Sequence, residues 1–399
     1  MNTNRRDFIK LVGTTTGGFI FLPKFLSAMP GTELFQQFQA GNNTLVIIQL
    51  NGGNDGLNTF VPYDNPLYYD YRKNIAIKKD DVLKSVNGMG FHPSMTGFEA
   101  MQQEGNLCVL QNVGYPNPNR SHFRSIEIWQ TGSNANENLS TGWLGRYLDA
   151  QCAPEDALGA LNIDNLDNLA LRGKVPHNIS IQDPVKFEQQ IKSLSDYNAD
   201  SSTVSQNLDF VRKLMVSSFE SSDQIKKVLE KTKNSIETYP KFGLAQNLRS
   251  IARMIKGGLP TSVYYTGQGG FDTHVGQVGK QKGLLNELSE SVKAFYDDLK
   301  TSGLMNNVTV MIFSEFGRRV HDNGQGTDHG TAAPVFIIGG GVQSKIIGNN
   351  PDLSRLDING DLQYEIDFRS VYATILKKRL NFDPAKAGIK QEILKGLLA

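Results

Sequence analysis

Six short apolar runs, each cut off by turn-forming residues, constrain this chain more than any other feature. They are Leu45–Leu50, Leu107–Val113, Leu158–Ile163, Ser262–Thr266, Val308–Phe313 and Pro334–Ile338. Continuous apolar runs of this length read as buried strands. Helical spacing separates several of them, most clearly from Gly283 to Leu299, where Leu284, Leu285, Leu288, Val292, Phe295 and Leu299 recur three or four residues apart. Strands alternating with helices predict an α/β fold, with a mostly parallel sheet and helices on both faces. Between about Pro184 and Gly258 the chain turns Lys-, Ser- and Gln-rich and carries no strand pattern. Apolar spacing appears there at Leu208, Val211 and Met215, then at Ile225, Val228 and Leu229. A further helix from Phe242 to Lys256 stops at Gly257-Gly258. We read this stretch as a helical insertion lying against the sheet domain; the pattern fits the sheet's ordinary covering equally well.

Charge and composition narrow the function. The 399 residues carry 41 Lys+Arg against 40 Asp+Glu, which argues against a nucleic-acid binder. Hydrophobic residues at 39% and charged residues at 20% suit a globular chain rather than a disordered one. The two cysteines, Cys108 and Cys152, exclude a disulfide scaffold and any Cys-built zinc cluster. No apolar run approaches the roughly 20 residues of a membrane span, so no permanent span is expected.

The first residues read as an address. Asn4-Arg5-Arg6-Asp7-Phe8-Ile9-Lys10 resembles the bacterial twin-arginine export motif. The stretch from Leu11 to Leu22 is short and Gly/Thr-rich, and a small-residue site follows at Leu26-Ser27-Ala28. Residues 1–28 are therefore expected to be a signal peptide, with the twin-arginine translocase as a partner and the periplasm or the exterior as the destination. The remainder, 29–399, is expected to be one α/β domain including the insertion at about 184–258.

Four clusters follow directly after expected strands, where an open α/β sheet presents its ligands. Asn51-Gly52-Gly53-Asn54-Asp55-Gly56 fails as a dinucleotide fingerprint. An Asp flanked by glycines there suits a hard cation, and equally a tight turn. In Asn119-Arg120-Ser121-His122-Phe123, Ser121 falls at a helix N-terminus, where a hydroxyl can attack an anionic ester or simply cap the helix. In Gly269-Gly270-Phe271-Asp272-Thr273-His274, Asp and His two residues apart can share a metal or a hydrogen bond. Ser314-Glu315-Phe316-Gly317-Arg318 is followed by Gly326-Thr327-Asp328-His329-Gly330. Of the remaining histidines, His92 and His321 fall in polar surroundings near turns, and His177 reads as solvent-facing. The concentration of His and carboxylates at strand ends, more than any one residue, marks a site.

Taken in order, the twin-arginine leader, NGGNDGLNTFVPY, NRSHF, TGWLGRYL, GFDTH, SEFGR, GTDHG and DFRSVYATIL closely resemble the exported bacterial domain of unknown function 1501 family, through essentially the whole chain. That family resembles a branch of the alkaline phosphatase and sulfatase superfamily. The resemblance implies an alkaline phosphatase-like core with one or two divalent metals (Zn, Mg, Mn or Ca) at the strand ends. Carried over residue by residue, Ser121 matches the nucleophile, Asp272, His274 and His329 one metal site, and Asp55 the first-strand Asp ligand. Glu315 stands where the superfamily has the Asp of an Asp-His pair, and Phe316 replaces that His. The implied activity is metal-dependent hydrolysis of a phosphate or sulfate ester, with a small anionic ester or a sulfated or phosphorylated glycan as substrate. Asp55 and Glu315 would hold Ser121 against the metals, and Arg318 or Arg120 would neutralise a substrate oxyanion. The alternative keeps the fold without the chemistry, as a metal-binding periplasmic protein in envelope or surface assembly.

Overall fold

The six apolar runs become neighbours in one sheet. The computed structural model describes residues 43–153, 156–164, 168–182 and 220–399. The leader at 1–28 and the apolar positions Leu208, Val211 and Met215 lie outside the described residues. The strands are β1 (Thr44–Leu50), β2 (Phe60–Val61), β3 (Leu83–Lys84), β4 (Gly90–Phe91), β5 (Leu107–Gly114), β6 (Ala160–Asn162), β7 (Asn178–Ser180), β8 (Val263–Gln268), β9 (Val308–Ser314), β10 (Ala333–Gly339), β11 (Ile346–Ile347) and β12 (Ile366–Asp367). The large sheet runs β11-β5-β10-β9-β1-β8-β6-β7, with β12 beside β5; β2, β4 and β3 form a small antiparallel sheet.

The sheet is mixed and mostly parallel: β10 alone runs against its neighbours β5 and β9. Its connection from β9 spans Glu315 to Ala332 and contains no helix, so the chain returns in the opposite direction rather than crossing over. That reversal matters for the site. Leu50 of β1 pairs with Gln268 of β8 and Ser314 of β9, so three strands end side by side. Because β10 starts at that same edge, with Ala333 beside Val113, the loop before it arrives there too.

The helices that cover the sheet are α1 (Thr96–Gln103), α2 (His122–Thr131), α3 (Trp143–Gln151), α4 (Gly243–Lys256), α5 (Gln277–Thr301) and α6 (Phe368–Lys378). Successive residues of β1 point to opposite faces. Val46, Ile48 and Leu50 join a core with Phe98 of α1, Leu248 of α4 and Leu288, Val292 and Phe295 of α5. Leu45 and Ile47 join a second core with Trp129 of α2, Leu144 of α3 and Tyr372 of α6. Each such side chain contributes roughly 1.5–3 kcal/mol on burial. Both faces are covered, as the alternating pattern predicts. Of the expected insertion, residues 220–231 are helical, and Ile225 and Leu229 join the first core together with α4. No helix among the described residues is long and apolar enough to cross a membrane.

Candidate active site

Glycine lets the loops at the shared edge pack backbone against backbone. Gly52 sits at φ +119°, and a Cβ there would come within 2.4 Å of the Asp272 nitrogen. Gly53, at φ +75°, would drive a Cβ to 2.3 Å from the Phe316 ring. Arg318 then ties the loops together from a buried position. Its Nε donates to Gly53 O at 2.6 Å and its Nη1 to Thr327 O at 2.8 Å. Its Nη2 donates to Phe271 O at 3.1 Å, to Asp272 Oδ1 at 2.6 Å and to Gly52 O. The expectation that Arg318 faces a substrate oxyanion needs correcting, because its guanidinium is committed to holding these loops.

Four side chains meet at this edge. Asp272, His274 and His329 converge as the sequence suggests, and His122, in the first turn of α2, joins them. His329 Nε2 lies 3.2 Å from Asp272 Oδ1 and 3.1 Å from His274 Nε2. His274 Nε2 lies 3.0 Å from Asp272 Oδ1, and His122 Nε2 lies 3.7 Å from Asp272 Oδ2. His122, Asp272 and His329 each bring a ligand atom within 4.8 Å of the others.

The opposite nitrogen of every ring is engaged. His122 Nδ1 contacts Glu315 Oε1 at 2.8 Å, His274 Nδ1 contacts Asp328 Oδ1 at 2.8 Å, and His329 Nδ1 contacts the Arg120 carbonyl at 2.8 Å. All three partners are acceptors, so each Nδ1 carries a proton, and the neutral form of each ring turns an Nε2 lone pair inward. In that form the Nε2 lone pairs of His274 and His329 face each other, 3.1 Å apart, without a donor between them. His122 Nε2 is buried and has no hydrogen-bond partner. A divalent ion resolves both defects. The 3.1 Å separation is near the roughly 3.3 Å expected for two nitrogens on one tetrahedral zinc. His122, His329 and Asp272 bring ligand atoms close enough to share one metal ion, and His274 stands beside two of them.

Charge placement agrees with this arrangement. Partial burial raises the Asp272 carboxyl, but the hydrogen bond from the buried Arg318 and its positive charge outweigh it and hold the group at about 2. The Glu315 hydrogen bond raises His122 against the opposing effect of burial. The His274 hydrogen bond lowers Asp328.

The other expected residues take different places. Glu315 is fully buried behind His122, where Oε1 also accepts from Gly52 N at 2.8 Å and Oε2 from Ser314 Oγ at 3.1 Å. Asp55 is not brought to the cluster. Its Oδ2 is held by Arg72 Nη1 at 2.5 Å and by Gln277 Nε2, deep in the protein. Ser121 is the exposed N-cap residue of α2, yet its hydroxyl makes no capping bond. It lies between two residues that touch His329, Arg120 through its carbonyl and His122 through a ring contact with centroids 4.3 Å apart. Arg120 pairs with Asp361 and lies 3.8 Å from Asp357. Phe316 walls the cluster, its ring centroid 4.8 Å from those of both His122 and His329.

His122 and Asp328 were missed as site residues, although each directly follows or precedes an expected one, Ser121 and His329. One further histidine differs from expectation: His177 is buried, its Nδ1 3.1 Å from Asp156 O. His92 lies at a turn beside the small sheet and is buried there.

Residues 42–386 match the family described as "Protein of unknown function (DUF1501)", and the chain belongs to that family. No curated protein matches it. Solved structures give distant likenesses. A sulfatase from Pseudoalteromonas sp., PsFucS1, is 11% identical with a TM-score of 0.42, covering 92% of this chain and 74% of its own. Ps i-CgsB in complex with k-i-k-neocarrahexaose is 10% identical with a TM-score of 0.40, covering 88% and 73%. The zinc complex of the C-terminal periplasmic domain of EcEptC from Escherichia coli is 10% identical with a TM-score of 0.36, covering 76% and 74%. Likenesses this distant leave the chemistry to the site itself.

Proposed function

We propose that this protein is an exported, metal-dependent hydrolase of phosphate or sulfate esters. The observation that carries the reading is the pair of facing lone pairs on His274 and His329, 3.1 Å apart, with the unpartnered His122 Nε2 beside Asp272. These four residues would hold one divalent ion, and so many imidazoles favour zinc over magnesium or calcium. When bound, such an ion acts as a Lewis acid toward the ester oxygens.

The chain's own residues supply the rest. Glu315, Asp328 and the Arg120 carbonyl keep three rings in one tautomer and orientation. Ser121, uncommitted as a cap, stands at the N-terminus of α2 as the candidate nucleophile, where backbone N–H groups favour an anion. Arg120, steadied by Asp361, suits the oxyanion role better than Arg318 does. Export through the twin-arginine pathway to the periplasm or exterior rests on Arg5 and Arg6; replacing both with Lys should strand the chain in the cytoplasm.

A panel of phosphate and sulfate monoesters and diesters, with and without added Zn, Mn, Mg or Ca, tests the activity. The reading expects turnover that requires an ion, and a Ser121→Ala variant that loses nearly all of it while staying within about 2 kcal/mol of the parent in stability. Ion binding without hydrolysis of any ester would favour the non-catalytic envelope protein instead.

A further inference from the structure

The two loops that carry the facing imidazoles meet on one buried amide. Gln277, the first residue of α5, is fully buried, and Thr273 and Thr327 are buried beside it. Thr273 stands between Asp272 and His274, and Thr327 directly precedes Asp328 and His329. Gln277 Oε1 accepts from Thr327 Oγ1 at 2.6 Å and from Thr273 Oγ1 at 3.3 Å, so a single carbonyl oxygen uses both lone pairs to join the loops. Its backbone adds a third tie, Gln277 N donating to Gln325 O at 3.1 Å. The loops touch directly at Gly326, where a Cβ would come within 2.3 Å of Thr273 O.

The direction of the amide is set from the other side. An amide can turn end for end, and a hydroxyl accommodates either end because it both donates and accepts. A carboxylate accepts but cannot donate. Gln277 Nε2 therefore faces Asp55 Oδ2, and Oε1 faces the two threonines. Arg72, bound to the same Asp55 oxygen, supplies the matching positive charge. The buried Asp55–Arg72 pair stands apart from the imidazole cluster, yet it reaches the cluster through Gln277.

We propose that Gln277 is a positioning residue for the metal site, setting the separation of His274 and His329 by tying both of their loops to one amide. Asp55 then acts as the group that orients Gln277, in place of the ligand role. This assignment rests on the metal reading of the cluster.

Calorimetric titration with zinc tests it. Gln277→Met keeps the length of the side chain and removes both polar ends, so zinc affinity should fall about tenfold or more, the scale of a lost outer partner. Thr327→Val breaks one of the two links and should weaken zinc less; it stands in if Gln277→Met does not fold. Leu288→Ala opens the core beneath the same helix, and should lower stability while leaving zinc affinity of the folded protein unchanged. Rescue is the most specific readout. Gln277→Glu sets two carboxylates against each other and should weaken zinc, whereas Gln277→Glu with Asp55→Asn exchanges donor and acceptor across the contact and should recover affinity. Hydrogen exchange reads the coupling without any ion: in Gln277→Met the amide of Thr327, which donates to Thr273 O, should exchange faster while those of β1 and β9 hold. A parent that takes up no zinc defeats the metal reading, and the exchange pattern then decides by itself whether Gln277 couples the loops. The proposal is overturned if Gln277→Met binds zinc as tightly as the parent, if Leu288→Ala weakens zinc equally, or if loop exchange is unchanged.

Discussion

Asp55 and Asp272 follow neighbouring parallel strands, yet they end in opposite situations. Asp55 is enclosed, its side chain fully buried against an equally buried Arg72 that also donates to Asn58 Oδ1 at 3.0 Å and Val320 O at 2.9 Å. Asp272 stays half exposed among three imidazoles whose inward nitrogens lack donors. A carboxylate matched by a buried cation completes the protein's own structure. Asp272 also accepts from a buried cation, Arg318 at 2.6 Å, but it is half exposed and reached by three imidazoles besides, and that open set of ligand atoms is what an ion from outside would complete.

The largest effect expected of that contrast is functional. Replacing His122, His274 or His329 singly with Ala should cut ester turnover on the order of a thousandfold or more, while thermal unfolding moves little because these rings are partly exposed. Loss of turnover from only two of the three would shrink the proposed ligand set.

Arg72→Met should behave in the opposite way. It leaves a buried Asp55 uncompensated and should cost about 3–5 kcal/mol in chemical denaturation. Activity per folded molecule should persist, and adding Asp55→Asn should recover much of the loss. A collapse of turnover at unchanged stability would instead place Asp55 in the reaction.

These two centres also show what the sequence could and could not disclose. All six apolar runs form strands of the one large sheet, because continuous burial leaves a mark in composition. Strands β7, β11 and β12 are two or three residues long and leave none. The direction of β10 is set by the short connection before it. The role of Asp55 hinges on Arg72, which is anchored on the carbonyls of Arg319 and Val320 about 250 residues away in sequence, a pairing no local pattern reveals. His122 was overshadowed by its neighbour Ser121, since a serine at a helix start suggests both a cap and a nucleophile. The burial of His177 likewise depends on Asp156 and Asp149, brought to it by the fold.

His92 sharpens the enclosed side of the comparison. Burial, helped by the charge of Lys282 and opposed by that of Asp55, lowers it from 6.5 to about 4. The unfolded chain then binds a proton that the folded one refuses between these values, so stability should fall as pH drops from about 6.5 toward 4. The loss should be on the order of 3 kcal/mol. His92→Gln should flatten this part of a stability–pH curve; an unchanged slope would assign it to other groups.

The smallest effect concerns orientation at the open centre. Glu315→Gln keeps the size of the group but weakens its hold on His122 Nδ1, and should lower metal affinity about 10- to 100-fold without abolishing binding. A far larger loss would make Glu315 itself a ligand.

Elemental analysis of protein purified without chelator, beside a His274→Ala/His329→Ala double variant, tests the central claim most directly. The account predicts one divalent ion per chain in the parent and none in the variant. A parent that carries no ion, and takes up Zn, Mn, Mg or Ca no better than the variant in calorimetric titration, would contradict it.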